Sequence, residues 1–118
     1  MYGLPEDFDG EVFAGRELIQ VSFSKNTVSF WFGDDLSVTL ESTFIHKRAA
    51  DKAECRQEIP VTESSVMSLI GKEVSSVKKD GDGTLILHFE NGDSLAFLDD
   101  AKQYESYSIR TADKEIVV

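Results

Sequence analysis

The chain repeats itself. Gly15-Arg16-Glu17-Leu18-Ile19-Gln20-Val21 returns as Gly71-Lys72-Glu73-Val74-Ser75-Ser76-Val77, an offset of 71 − 15 = 56. One residue enters near Gly81-Asp82-Gly83, and the register becomes 89 − 32 = 57. Val28-Ser29-Phe30-Trp31-Phe32 then lies over Leu85-Ile86-Leu87-His88-Phe89, and Ser37-Val38-Thr39-Leu40 over Ser94-Leu95-Ala96-Phe97. The sequence therefore reads as two copies of one supersecondary unit. A 118-residue chain is the size of one domain. Two independent units of about 55 residues would each bury too little surface. The copies are read as halves of a single domain, 1–118, and not as a solenoid, which needs three or more units.

Each copy is expected to open with a helix. Pro5 to Ala14 and Pro60 to Ile70 both begin with proline and stop at glycine. Thr62 is placed to cap the second helix and Gly71 to end it in a left-handed conformation. Asp7 or Asp9 would cap a shorter first turn. Three strands follow each glycine. Residues 17–23 alternate, Thr27 to Phe32 puts Val28, Phe30 and Phe32 on one face with Trp31 on the other, and a third strand runs from Leu36 towards Ile45 or His46. In the second copy 73–78, Thr84 to Phe89 and Asp93 to Leu98 repeat this, and Asn91-Gly92 reads as a type I′ hairpin turn. Lys47 to Gln57 reads as a mobile loop or a short helix. Tyr107, Ile109 and Ile116-Val117-Val118 read as a closing hairpin. The expected fold is α+β, mostly antiparallel, with helix-plus-three-strand half-repeats at about 5–46 and 60–98 and a closing hairpin at 104–118. Val28, Phe30, Phe32, Leu85, Leu87 and Phe89 are its expected core.

Chemistry is sparse. His88 takes the place of Trp31, and Glu17 and Glu73 are matched acids after each glycine. These three are the candidates if the chain is an enzyme, working in a cleft between the copies. Each also has a plain structural reading: a half-buried histidine in a sheet, and acids paired with nearby cations. His46, beside Lys47 and Arg48, reads as solvated. Cys55 is the one cysteine, so it forms no internal disulfide and has no metal-type spacing. Asp80-Gly81-Asp82-Gly83 starts like a calcium loop, but Leu85 and Asn91 stand where a glycine and a bidentate glutamate are needed. No metal and no cofactor is expected. No Walker loop, dinucleotide fingerprint, zinc-protease motif or nucleophile elbow is present.

Net charge is −10, from 22 acidic and 12 basic residues. That disfavours nucleic acid and anionic membrane and would steer a basic protein inward. Asp34, Asp35, Asp99 and Asp100, at expected turns, are the candidate contacts for such a partner. No apolar run nears the roughly 20 residues of a membrane span, and the first residues lack the pattern of a signal peptide. A cytoplasmic location is the expectation.

Phe89-Glu90-Asn91-Gly92-Asp93-Ser94-Leu95, Asp99-Asp100, Tyr104-Glu105-Ser106-Tyr107-Ser108-Ile109 and Ile116-Val117-Val118, with Gly15-Arg16-Glu17 before Leu18 to Phe23, resemble a family of small uncharacterised bacterial proteins. Members share a Gly-x-x-Leu opening and a Tyr-Glu-Ser/Ala-aromatic motif before a last hairpin. The resemblance implies a loose association with immunity-type proteins and no transferable chemistry. Three readings follow. The first is a non-catalytic protein-binding module, of immunity or inhibitor type, with an acidic surface. The second is an enzyme using the cleft between copies, and the third a structural protein whose sheet edges pair in a homodimer.

Overall fold

The computed structural model describes residues 4, 5, 8–59, 61, 63–100 and 106–118. Its strands are β1 (Gln20–Phe23), β2 (Val28–Trp31), β3 (Ser37–Leu40), β4 (Phe44–Lys47), β5 (Glu54–Gln57), β6 (Val74–Lys79), β7 (Leu85–Phe89), β8 (Ser94–Phe97), β9 (Tyr107–Arg110) and β10 (Glu115–Val117). Two 3-10 turns, η1 (Gly10–Phe13) and η2 (Val66–Leu69), precede β1 and β6. The strands form two five-stranded antiparallel sheets, β1-β2-β3-β9-β10 (sheet one) and β5-β4-β8-β7-β6 (sheet two).

The expected α+β class is therefore wrong. Among the described residues the fold is antiparallel β with no α-helix. The segments expected to be helices contain one short 3-10 turn each. Nucleating a helix costs more than so short a segment returns. Val66 is β-branched, the Ser64 and Ser68 hydroxyls bond the backbone, and Gly10 interrupts the first segment. The expected cap Thr62, with Pro60 and Asp7, lies outside the described residues. Asp9 does cap η1, accepting the Glu11 N–H at 3.0 Å.

Lys47 to Gln57 also departs from expectation. It holds the end of β4, a turn and β5, with Ile45 opposite Arg56 and Lys47 opposite Glu54. Asp51 accepts the Ala53 N–H at 3.0 Å, and Lys52 adopts φ 57°. The segment read as a mobile loop or a short helix, with Ala49, Ala50 and Ala53 in it, forms a hairpin. The Asn91-Gly92 turn differs too: of the pair, Gly92 alone has positive φ, at 90°. The Gly92 N–H bonds Phe89 O and the Phe89 N–H bonds Asp93 O. This is a type I turn closed by a left-handed glycine, and Gly83 closes the turn after Asp80 in the same way.

Each half sends three strands to one sheet and a hairpin to the other. β4-β5 docks beside β8, and β9-β10 docks beside β3. Four backbone bonds tie the halves where Glu17 pairs with Glu73. Gly15 N–H reaches Val74 O (2.8 Å) and Gly71 N–H reaches Leu18 O (2.8 Å); Leu18 N–H reaches Lys72 O (3.0 Å) and Val74 N–H reaches Arg16 O (2.8 Å). Moving each partner by 56 positions turns one bond of each pair into the other.

The inner sheet faces form the core. Val28, Phe30, Phe32, Leu85, Leu87 and Phe89 are all buried. The Phe30 ring meets Phe44 edge-on at 5.4 Å and Phe97 at 5.2 Å, and Phe97 meets Tyr107 at 6.0 Å. Aromatic side chains thus fill the space between the sheets at the point where the enzyme reading expected a cleft.

Candidate functional site

The two outer edges that follow the 3-10 turns, β1 and β6, lie at positions 56 residues apart, yet their surroundings differ. At β6 the edge is covered. Segment 8–13 lies against it, and a Cβ on Gly10 would stand 2.7 Å from Val77 Cγ1, so the close approach depends on glycine. Lys79 closes the end of the strand, with its ammonium bonded to Phe8 O and 5.9 Å from the Phe8 ring. Among the described residues, β1 has no counterpart of that cover. Val66 stands in the place of Gly10 and sends its side chain into the core. Ser64 replaces Phe8, and Phe23 replaces Lys79.

Four large apolar side chains are exposed around that edge: Ile19 (55%), Phe23 (40%), Met67 (62%) and Ile70 (41%). The Gly71 N–H bond to Leu18 O brings Ile70 alongside Ile19, and the Ile70 N–H bond to Met67 O places Met67 one turn back. Their counterparts in the other half are Ser75, Lys79, Glu11 and Ala14. The fold itself does not demand apolar residues here. Contiguous exposed apolar surface beside an unpaired strand is a docking feature, since edge strands are otherwise blunted by charge or cover. The Ser24 N–H bond to Thr27 O sets the β1–β2 alternation, which turns the N–H and C=O of Val21 and Phe23 outward.

A second constellation lies inside sheet two. His46, expected to be solvated, is fully buried. Its Nε2 is 2.8 Å from Asp93 Oδ2 and its Nδ1 2.7 Å from Ser65 Oγ. Asp93 Oδ1 accepts the Ala49 N–H at 2.9 Å. The carboxylate accepts from the Nε2–H of the ring, and the Ser65 hydroxyl meets the other ring nitrogen. Burial works against the Asp93 charge, but the Ala49 N–H and His46 outweigh it and hold the carboxyl below its ordinary range. Ser, His and Asp in a line suggest a nucleophile and its base. A hydrolase histidine must also protonate a leaving group, and a ring with no exposed surface cannot reach one. The array works as a clasp joining η2, the β4–β5 turn and the β7–β8 turn. The sequence offered no local signal for it, because the three residues lie far apart along the chain.

The residues nominated from sequence fall elsewhere. Glu17 and Glu73 are brought side by side as a backbone pair, with both residues exposed. His88 is half-buried on the outer face of sheet two and hydrogen-bonds neither glutamate among the described residues. It borders a shallow depression of about 360 Å³ floored by Ile45, Ile86 and Ala96. Trp31, its counterpart, has a buried Nε1 with no partner among the described residues.

Asp34 and Asp35 sit exposed in the β2–β3 hairpin. Arg16 grips Asp35 with two bonds, at 2.9 and 3.0 Å, which lowers the Asp35 pKa and raises that of Arg16. Asp99 accepts from Ser106 Oγ at 2.7 Å, and Asp100 faces Arg56 at 3.6 Å. The aspartates thus belong to two separate places, and three of the four already have partners. Tyr104 and Glu105 lie outside the described residues. Tyr107 is buried and donates to Gly83 O at 2.6 Å. Burial, with Asp99 and Asp82 adding to it, pushes its phenol pKa upward.

The match to known families covers residues 10–118, almost all of the described fold. The chain belongs to the family of unknown function DUF6188. No curated protein and no solved structure matches it. Family membership assigns no chemistry, so the site rests on geometry. Among the described residues, no group of three or more His, Cys, Asp or Glu could hold a metal ion. No helix of the described residues is long and apolar enough to cross a membrane.

Proposed function

We propose that this chain is a non-catalytic protein-binding module and that its contact surface is the β1 edge. One observation carries this reading. Ile19, Phe23, Met67 and Ile70 are exposed where the equivalent positions of the other half are small, polar or charged. An apolar centre with outward backbone groups suits a partner that adds a strand or an apolar face. The reading departs from a contact made by Asp34, Asp35, Asp99 and Asp100, because Asp35, Asp99 and Asp100 have internal partners. A basic partner remains a second reading, supported by the net charge of −10. We also infer that the halves derive from one duplicated unit, which the interchangeable backbone bonds around Glu17 and Glu73 support.

A photo-crosslinking side chain at position 23, compared with one at position 79, tests the binding surface in living cells. Protein adducts from 23 with few from 79 are the expected result. Equal yields, or none from 23, overturn the reading.

A further inference from the structure

The outer face of sheet two carries a feature that the β1 edge does not explain. Ala96 on β8 pairs with Ile86 on β7 and with Ile45 on β4. A small side chain between two large ones opens a trough, its isoleucine walls about 10 Å apart at the ordinary strand spacing. The depression of about 360 Å³ lies here. One pleat along, Ser94 stands between His88 and Lys47 in the same way. The trough therefore has an apolar end over Ala96 and a hydrogen-bonding, cationic end over Ser94.

The architecture does not demand such a trough. In sheet one Ser29, Thr39 and Ser108 hold the places of Ile86, Ala96 and Ile45. Ser29 and Thr39 hydrogen-bond each other at 3.1 Å. Ser37, the counterpart of Ser94, is buried, whereas Ser94 keeps partial exposure. An outer sheet face built from hydroxyl groups thus satisfies the fold, and the partly exposed isoleucines of sheet two answer to something else.

Charge narrows the occupant. The chain carries −10 overall, yet two lysines and a single glutamate line the depression. Lys47 is 3.7 Å from Glu54 and Lys78 is 3.9 Å from Asp80, and both lysine side chains are 66% exposed. Ion pairs this long and this exposed hold their cations weakly. An ammonium offers three N–H donors and no acceptor, and a serine hydroxyl and an imidazole N–H can donate beside it. That donor set suits a carboxylate, and the floor suits a short apolar body attached to it.

We propose that this trough binds a small organic carboxylate with an apolar tail. The carboxylate lies towards Lys47, Ser94 and His88, and the tail lies over Ala96 between Ile45 and Ile86. Lys78 adds attraction at the rim. The site is in the other sheet from β1 and does not depend on the protein-binding reading.

Nuclear magnetic resonance titration of the purified chain with hexanoate and with 3-phenylpropanoate tests it. Saturable shifts at Ser94, Ala96 and His88 are expected. Hexanamide, which keeps the tail without the charge, and inorganic phosphate, which keeps charge without the tail, should not produce them. Lys47→Gln should weaken binding about tenfold, the effect of losing one charge-assisted bond. Glu54→Gln removes the competing acid and should strengthen binding about twofold to fivefold. Ala96→Leu fills the trough and should abolish the shifts with little change in thermal midpoint. The proposal is overturned if neither carboxylate gives saturable shifts, if hexanamide or phosphate matches them, or if a folded Ala96→Leu variant still binds. Should that variant fail to fold, unchanged affinity in Lys47→Gln overturns it equally.

Discussion

In sheet one Leu36 and Ile109 occupy the buried places that Asp93 and His46 occupy in sheet two. Leu36 and Asp93 are 57 positions apart and open β3 and β8, while Ile109 and His46 face Val38 and Leu95 across equivalent strand pairs. All four are buried. The architecture thus accepts either an apolar pair or a hydrogen-bonded polar pair at one position. The polar version requires every member to be satisfied, and Ser65 and Ala49 complete it. The halves differ at their edges in the same manner: among the described residues, one is sealed by its own chain, and the other presents exposed apolar side chains.

The largest expected effect falls on the shared core. Phe30→Ala removes a ring that contacts Phe44 and Phe97 and should cost about 3–5 kcal/mol in denaturant unfolding. Leu87→Ala, its counterpart, removes less and should cost about 2–4 kcal/mol. A loss below 1 kcal/mol for Phe30 would place it outside the core.

The buried polar pair comes next. His46→Ile alone strands the Asp93 carboxylate and should cost about 3 kcal/mol. His46→Ile with Asp93→Leu copies the Ile109–Leu36 pair and should recover most of that loss. A double variant as unstable as the sum of its singles would show that the two positions are not interchangeable. Acid should discriminate as well. The folded-state pKa of Asp93 is depressed, so its contribution is present above the unfolded carboxyl value near 4 and is lost as pH falls through the folded value. The wild type should therefore lose more stability between about pH 5 and pH 2 than the double variant does. Equal losses in acid unfolding curves would remove Asp93 from that role.

The smallest expected effect tests the likeness of the halves directly. Gly15 and Gly71 have φ of 77° and 91°, and a Cβ at either would meet nothing within 4 Å. Alanine at each should cost about 1–2 kcal/mol from backbone strain alone. Thermal midpoints that fall by the same amount support equivalent environments, and a clear inequality breaks the comparison.

Much of the strand pattern was legible along the chain. Val28-Ser29-Phe30 and Leu85-Ile86-Leu87 alternate with period two, and strict alternation has one meaning for a strand that is buried on one face. Gly15 and Gly71 ended their segments in the left-handed region, as expected of residues without a Cβ. Helices were expected before them because proline, threonine or aspartate, and glycine punctuation resembles helix capping. Punctuation marks the ends of a segment but not its length, and four residues settle into a 3-10 turn. Lys47 to Gln57 was misread for a related reason: its alanines favour helix, yet β5 is stabilised by β4 beside it.

The candidate site was not legible, since each part of it depends on neighbours distant in sequence. The chain by itself determined strands such as β2 and β7 and the core faces that they carry, because these follow from local periodicity. Tertiary structure decided that the hairpins exchange sheets, that His46 is buried between Ser65 and Asp93, and that Ile19 and Phe23 remain uncovered. Whether an apolar residue becomes core or contact surface depends on what packs over it. Gly10 lets η1 close over β6, whereas Val66 turns inward and leaves β1 exposed.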